Sequence, residues 1–112
     1  MVSTITDRVS GVVNGIPAAG GFGIWATTGV SGINTVLATA DPAIVGYKNN
    51  MSFFIRPVSN NTGPVTVNIS SAGALALLKP NGDALATGEF SINLDYLIKF
   101  NGIEFRIITP SF

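Results

Sequence analysis

From Phe22 onward the chain alternates short runs of β-branched and aromatic residues with clusters of Gly, Asn, Asp and Pro. Nowhere does it repeat its apolar residues at the 3.6-residue period of a helix. Punctuation of this kind limits the chain to a fold of many short strands, because strand-forming runs of a few residues each end where a turn-former begins. The expected strands are Gly23–Thr28, Asn34–Ala38, Met51–Val58, Pro64–Ser70, Ala74–Lys79, Glu89–Leu94, Tyr96–Phe100 and Ile103–Thr109. The run Ala72–Leu78 also has the Ala and Leu content of a single helical turn, but it is short for a helix. Between the strands, Asn49-Asn50, Asn60-Asn61-Thr62-Gly63 and Pro80-Asn81-Gly82-Asp83 read as turns.

Two strands show clean alternation and so one wet face each. Val65, Val67 and Ile69 point one way and Thr66, Asn68 and Ser70 the other; Phe90, Ile92 and Leu94 likewise oppose Ser91, Asn93 and Asp95. At the C-terminal end, Asn101-Gly102 is the preferred pair for a two-residue hairpin turn. Counting outward predicts Phe100 opposite Ile103, Lys99 opposite Glu104, Ile98 opposite Phe105 and Tyr96 opposite Ile107. Apolar residues then meet apolar ones, and the basic–acidic pair faces itself. The fold class expected is therefore all-β, a small antiparallel β-sandwich or barrel-like domain.

The N-terminal part differs. From Val9 to Ala40 there is no charged residue, and this stretch holds seven of the 13 glycines. Gly20, Gly21 and Gly23 disfavour a helix by about 1 kcal/mol each relative to Ala. Long uncharged segments in small domains are commonly functional or ordered by a partner. Residues 1–23 are expected to form an extended, glycine-rich attachment arm, and residues 24–112 the β-domain.

Charge bears on partners. The chain has 112 residues, enough for one domain, of which only 11% are charged, against about 25% in typical proteins. So few charges poorly clothe a free surface, and subunit neighbours are the simplest cover. Six basic and six acidic side chains cancel, which leaves no electrostatic footprint for nucleic acid or for an anionic membrane. No apolar run has the roughly 18 residues that a spanning helix needs, and no export signal is visible at the N-terminus. Neither nucleic acid nor membrane is expected as a partner.

Chemistry is sparse as well. His and Cys are both absent, which removes imidazole bases, triads, thiol nucleophiles and the usual transition-metal ligands. Asp83 with Glu89 and Asp95 with Glu104 are carboxylate pairs close in sequence, and predicted turns and wet strand faces account for them. Gly20-Gly21-Phe22-Gly23 precedes no helix and no lysine, so it is not a phosphate loop. No catalytic, cofactor-binding or metal-binding residue is assigned, no cofactor is expected, and the chain reads as a non-enzyme. Trp25, Tyr47, Phe53 and Phe54 are candidates for an aromatic sugar platform, with core packing as the competing reading. On a strand, Phe53 and Phe54 face opposite sides, so one of them needs cover from outside the domain.

A resemblance runs through the C-terminal half. Asn61-Thr62-Gly63-Pro64-Val65-Thr66-Val67-Asn68-Ile69, then Gly73, then Lys79-Pro80-Asn81-Gly82-Asp83-Ala84-Leu85-Ala86-Thr87-Gly88-Glu89, and finally Tyr96 through Phe100-Asn101-Gly102-Ile103-Glu104-Phe105, resemble a segment common in tail fibre and related virion proteins of tailed bacteriophages. Residues 61–108 carry most of this likeness, and Thr6-Asp7-Arg8-Val9-Ser10-Gly11-Val12-Val13 is similar to openings of such proteins. The resemblance implies a virion structural role, commonly as a homotrimer in contact with other virion proteins. Many such fibres continue well beyond the hairpin into a receptor-binding tip. The expected roles are therefore a short fibre or tail-tip subunit, an adaptor, or alternatively a capsid decoration or head-fibre protein. A module that binds host surface glycan through Trp25 or Tyr47 is the reading from a different class.

Overall fold

A computed structural model describes residues 23–112. The arm expected over residues 1–23 lies, apart from Gly23, outside the described residues. Seven strands form: β1 (Ile24–Ser31), β2 (Thr35–Asp41), β3 (Ser52–Ile55), β4 (Val65–Ile69), β5 (Ala74–Leu78), β6 (Tyr96–Phe100) and β7 (Phe105–Thr109). There is no helix among the described residues, and Ala74–Leu78 is a strand. The strands close into a barrel in the order β1-β2-β4-β5-β7-β6-β3. Closure removes the free sheet edges that would otherwise template unwanted pairing.

The barrel is mixed rather than purely antiparallel. β1·β2, β3·β6, β4·β5 and β6·β7 run antiparallel, whereas β1·β3, β2·β4 and β5·β7 run parallel. The cause is the path of the chain: after the β1–β2 hairpin, β3 crosses to the far side of β1, and β4 returns to the far side of β2. Local sequence patterns record strand faces but not such crossovers.

Alternation places the core. Val36, Ala38 and Ala40 from β2, Phe53 and Ile55 from β3, Val65, Val67 and Ile69 from β4, and Tyr96 and Ile98 from β6 point inward and are buried. Leu77, Phe105 and Ile107 complete the lining, and Phe90 and Leu85 enter from the β5–β6 connection. The β1–β2 turn needs glycine at position 32, where φ is +94° and a side-chain Cβ would collide with the Thr35 carbonyl oxygen.

Two sequence expectations are corrected. Glu89–Leu94 is a series of turns rather than a strand: Phe90 is buried, but Ile92 and Leu94 are exposed. Ser91 takes over the local backbone, since its carbonyl accepts from Leu94 N–H and its hydroxyl accepts from Asn93 N–H. Such side-chain bonds offer the chain an alternative to a ladder. The C-terminal hairpin, in turn, is centred one residue later than expected. Phe100 pairs with Phe105, Lys99 with Arg106 and Ile98 with Ile107, while Tyr96 pairs with Ile55. Asn101 lies before the turn and caps it, accepting from the N–H groups of Ile103 and Glu104 through Oδ1. Gly102 then takes the first central position with φ of +100°. Each partner moves by two residues, so every side chain keeps its face, and Ile103 is left 74% exposed in the turn.

Candidate interaction surface

The two groups singled out for chemistry are each absorbed into the fold. Glu89 accepts from Ala86 N–H at 2.7 Å and pairs with Lys79 at 3.0 Å; these contacts hold its carboxyl below the ordinary range, the Ala86 bond most. Glu104 pairs with Arg106 at 2.7 Å, which lowers its carboxyl in the same way. Asp83 accepts from the Asn81 side chain and Asp95 lies 3.4 Å from Arg56. Each carboxylate therefore has its own partner, and neither Asp83 with Glu89 nor Asp95 with Glu104 forms a bare acid–base couple. No group of three metal-ligating side chains occurs among the described residues.

The four candidate aromatic residues separate. Phe53 is buried and Trp25 packs on it at 5.8 Å. Tyr47 lies half-buried over Phe105 at 5.1 Å and Phe100 at 5.4 Å. Its hydroxyl donates to the Gly73 carbonyl at 2.6 Å and accepts from Ile69 N–H at 2.9 Å, and burial pushes its pKa up. Only Phe54 stands on the outer face, 50% exposed.

Phe54 is part of something larger. Following the ladder outward from β3, Phe54 pairs with Leu97 on β6, and Leu97 with Thr109 on β7 beside Ile108. On the other side Trp25 pairs with Phe53, so Ala26 on β1 is the next step alongside Phe54. Ala26, Phe54, Leu97 and Ile108 thus form an apolar stripe across four adjacent strands, with Phe54 and Ile108 each about half exposed. Charge rims it: the Arg56–Asp95 pair at one end of the barrel, and Lys99, Arg106 and Glu104 toward the other. An apolar centre within a polar rim is the anatomy of a protein contact surface.

Beside the stripe lies an open groove of about 320 Å³ lined by Pro80, Lys99, Asn101, Arg106, Ile107 and Ile108. Arg106 is held along its edge: it donates to Glu104 at 2.9 Å and to the Pro80 carbonyl at 3.3 Å. Lys99 stands opposite it in the ladder and has no ion-pair partner among the described residues. Sequence reasoning found Phe54 through alternation, because adjacent aromatics on a strand must diverge. It missed the stripe, since the neighbours of Phe54 are supplied by crossovers.

No family model matches the chain, and comparison with curated proteins returns no match.

Proposed function

We propose that this chain is a non-catalytic structural module of a tailed-bacteriophage particle, a tail fibre or tail-tip component or adaptor, that assembles with copies of itself. The observation that carries the reading is the rimmed apolar stripe Ala26–Phe54–Leu97–Ile108 on a chain with only 12 formally charged side chains. An aromatic ring and aliphatic side chains placed side by side on an outer wall are covered at low cost by a neighbour: fully burying a Phe, Leu or Ile side chain contributes about 1.5–3 kcal/mol, of which the half-exposed Phe54 and Ile108 have roughly half still to gain. The likeness of residues 61–108 to virion fibre segments supplies the setting, and a homotrimer is the assembly that likeness implies. The engagement of every carboxylate pair in local bonds supports a binding role over a hydrolytic one.

The test is localisation. Antibody labelling of intact particles, imaged by electron microscopy, is expected to mark the tail or its fibres in small symmetric numbers. Labelling spread over the head moves the protein to the decoration role, and no labelling of purified particles overturns the reading.

A further inference from the structure

The charges beside the stripe carry the proposal one step further. Asp41, at the end of β2, pairs in register with Ala26, so it borders the stripe on the β1–β2 side. Lys99 on β6 pairs with Ser52 and Arg106, and lies two residues along the strand from Leu97, beside the β6–β7 half of the stripe. Asp41 is exposed and Lys99 half-buried, and neither has an ion-pair partner among the described residues. On the strands of the barrel the other charged residue, Arg106, is matched by Glu104. Two charges of opposite sign, unmatched among the described residues, therefore lie beside one apolar stripe, too far apart in the ladder to pair within one copy, since β1 and β3 lie between β2 and β6.

We propose that the stripe faces the symmetry axis of a cyclic homo-oligomer, in which Asp41 of each copy enters the Lys99–Arg106 groove of its neighbour. This rests on the reading that copies associate through this wall. In closed symmetry about an axis in front of a face, one edge of that face meets the opposite edge of the next copy. A stripe with a carboxylate beyond its β1 end and a cation beside its β6–β7 half is self-complementary under that operation, whether two or three copies close the ring. Phe54, at the middle, is then nearest the axis. The groove supplies the Lys99 ammonium, a guanidinium held in place by Glu104 and Pro80, and the aliphatic wall of Ile108. Such an arrangement gives register to an association whose strength comes from the apolar centre.

The test is a charge swap in the full chain, followed by sedimentation equilibrium at low ionic strength. Asp41→Lys and Lys99→Asp, each alone, bring like charges together and are expected to weaken self-association at least about tenfold. Asp41→Asn and Lys99→Gln, which remove charge without reversing it, are expected to weaken it less. The double variant Asp41→Lys with Lys99→Asp restores opposite charges between neighbours and is expected to assemble to within about threefold of the unmodified chain. Single reversals that assemble normally, or a double variant as weak as either single one, overturn this pairing while leaving assembly through the wall intact. An unmodified chain that does not associate at all overturns both.

Discussion

The two ends of the barrel are closed by different physics. At the end where β1 begins, the connections are β2–β3, β4–β5 and β6–β7, and the seal is aromatic: Trp25, Tyr47, Phe53, Phe100 and Phe105 pack together with centroid spacings of 5.1–6.5 Å. At the opposite end the β3–β4 and β5–β6 connections meet, and the seal is largely a hydrogen-bond knot. Asn61, the only polar residue buried among those described, donates through Nδ2 to the carbonyls of Gly63 and Ala86. Its Oδ1 accepts from Phe90 N–H, its own N–H donates to the Phe90 carbonyl, and its carbonyl accepts from Gly88 N–H. Phe90 and Tyr96 pack behind this knot at 4.8 Å. Long irregular connections leave many backbone groups to satisfy, and one amide side chain that both donates and accepts meets that need where a ring cannot.

This difference predicts unequal responses to substitution. Phe105→Ala removes the ring shared by Tyr47, Phe53 and Phe100, and is expected to cost about 3–5 kcal/mol, with collapse of the near-ultraviolet circular dichroism of the aromatic cluster. Asn61→Ala leaves the Gly63 carbonyl and Phe90 N–H without partners, and the Ala86 carbonyl with only the Glu89 N–H, and is expected to cost about 2–3 kcal/mol. Hydrogen exchange should then accelerate at Gly88 and Phe90 while Phe53 and Ile107 stay protected. Equal acceleration at both ends would show that they do not close independently. Tyr47→Phe keeps the ring but strands Ile69 N–H and the Gly73 carbonyl, and should cost about 1–2 kcal/mol, read from denaturant midpoints.

Acid gives the smallest effect. Glu89 and Glu104 have pKa values lowered from the ordinary 4.5, so their contribution is present above that value and is lost as pH falls through the lowered folded-state values. The Glu89→Gln variant is expected to lose part of the acid-dependent fall in melting temperature, as is Glu104→Gln. A melting temperature that falls equally steeply in both variants and in the unmodified chain would contradict the pairing of these carboxylates.

The same contrast governs what can be read from sequence. Strand interiors are legible, because alternation at Val65, Val67 and Ile69 is dictated by burial on one face and survives any topology. Divergence of Phe53 and Phe54 is legible for the same reason. The Glu89–Leu94 run shows where the rule fails: its alternation arises in a connection whose Ser91 and Asn60 bonds, the latter to Ile92 N–H at 3.0 Å, replace a ladder. Asn61 reads locally as an ordinary turn residue, and its burial depends on partners in the β5–β6 connection, which no local pattern reveals. Asn101 is a capping residue rather than a turn centre, so the hairpin register moved by two while its faces held. The apolar stripe assembles from β1, β3 and the β6–β7 hairpin, which are distant from one another in sequence, and its visibility depended on the crossovers that set them side by side.

The central claim is that this sparsely charged barrel hides its outer wall against copies of itself. Multi-angle light scattering of the purified full chain, across at least a hundredfold range of dilution, measures that most directly. A mass of a fixed small multiple of the chain, three copies in the reading favoured above, is the predicted result, with Phe54→Arg shifting it toward one copy. A single-chain mass at every concentration would contradict the account.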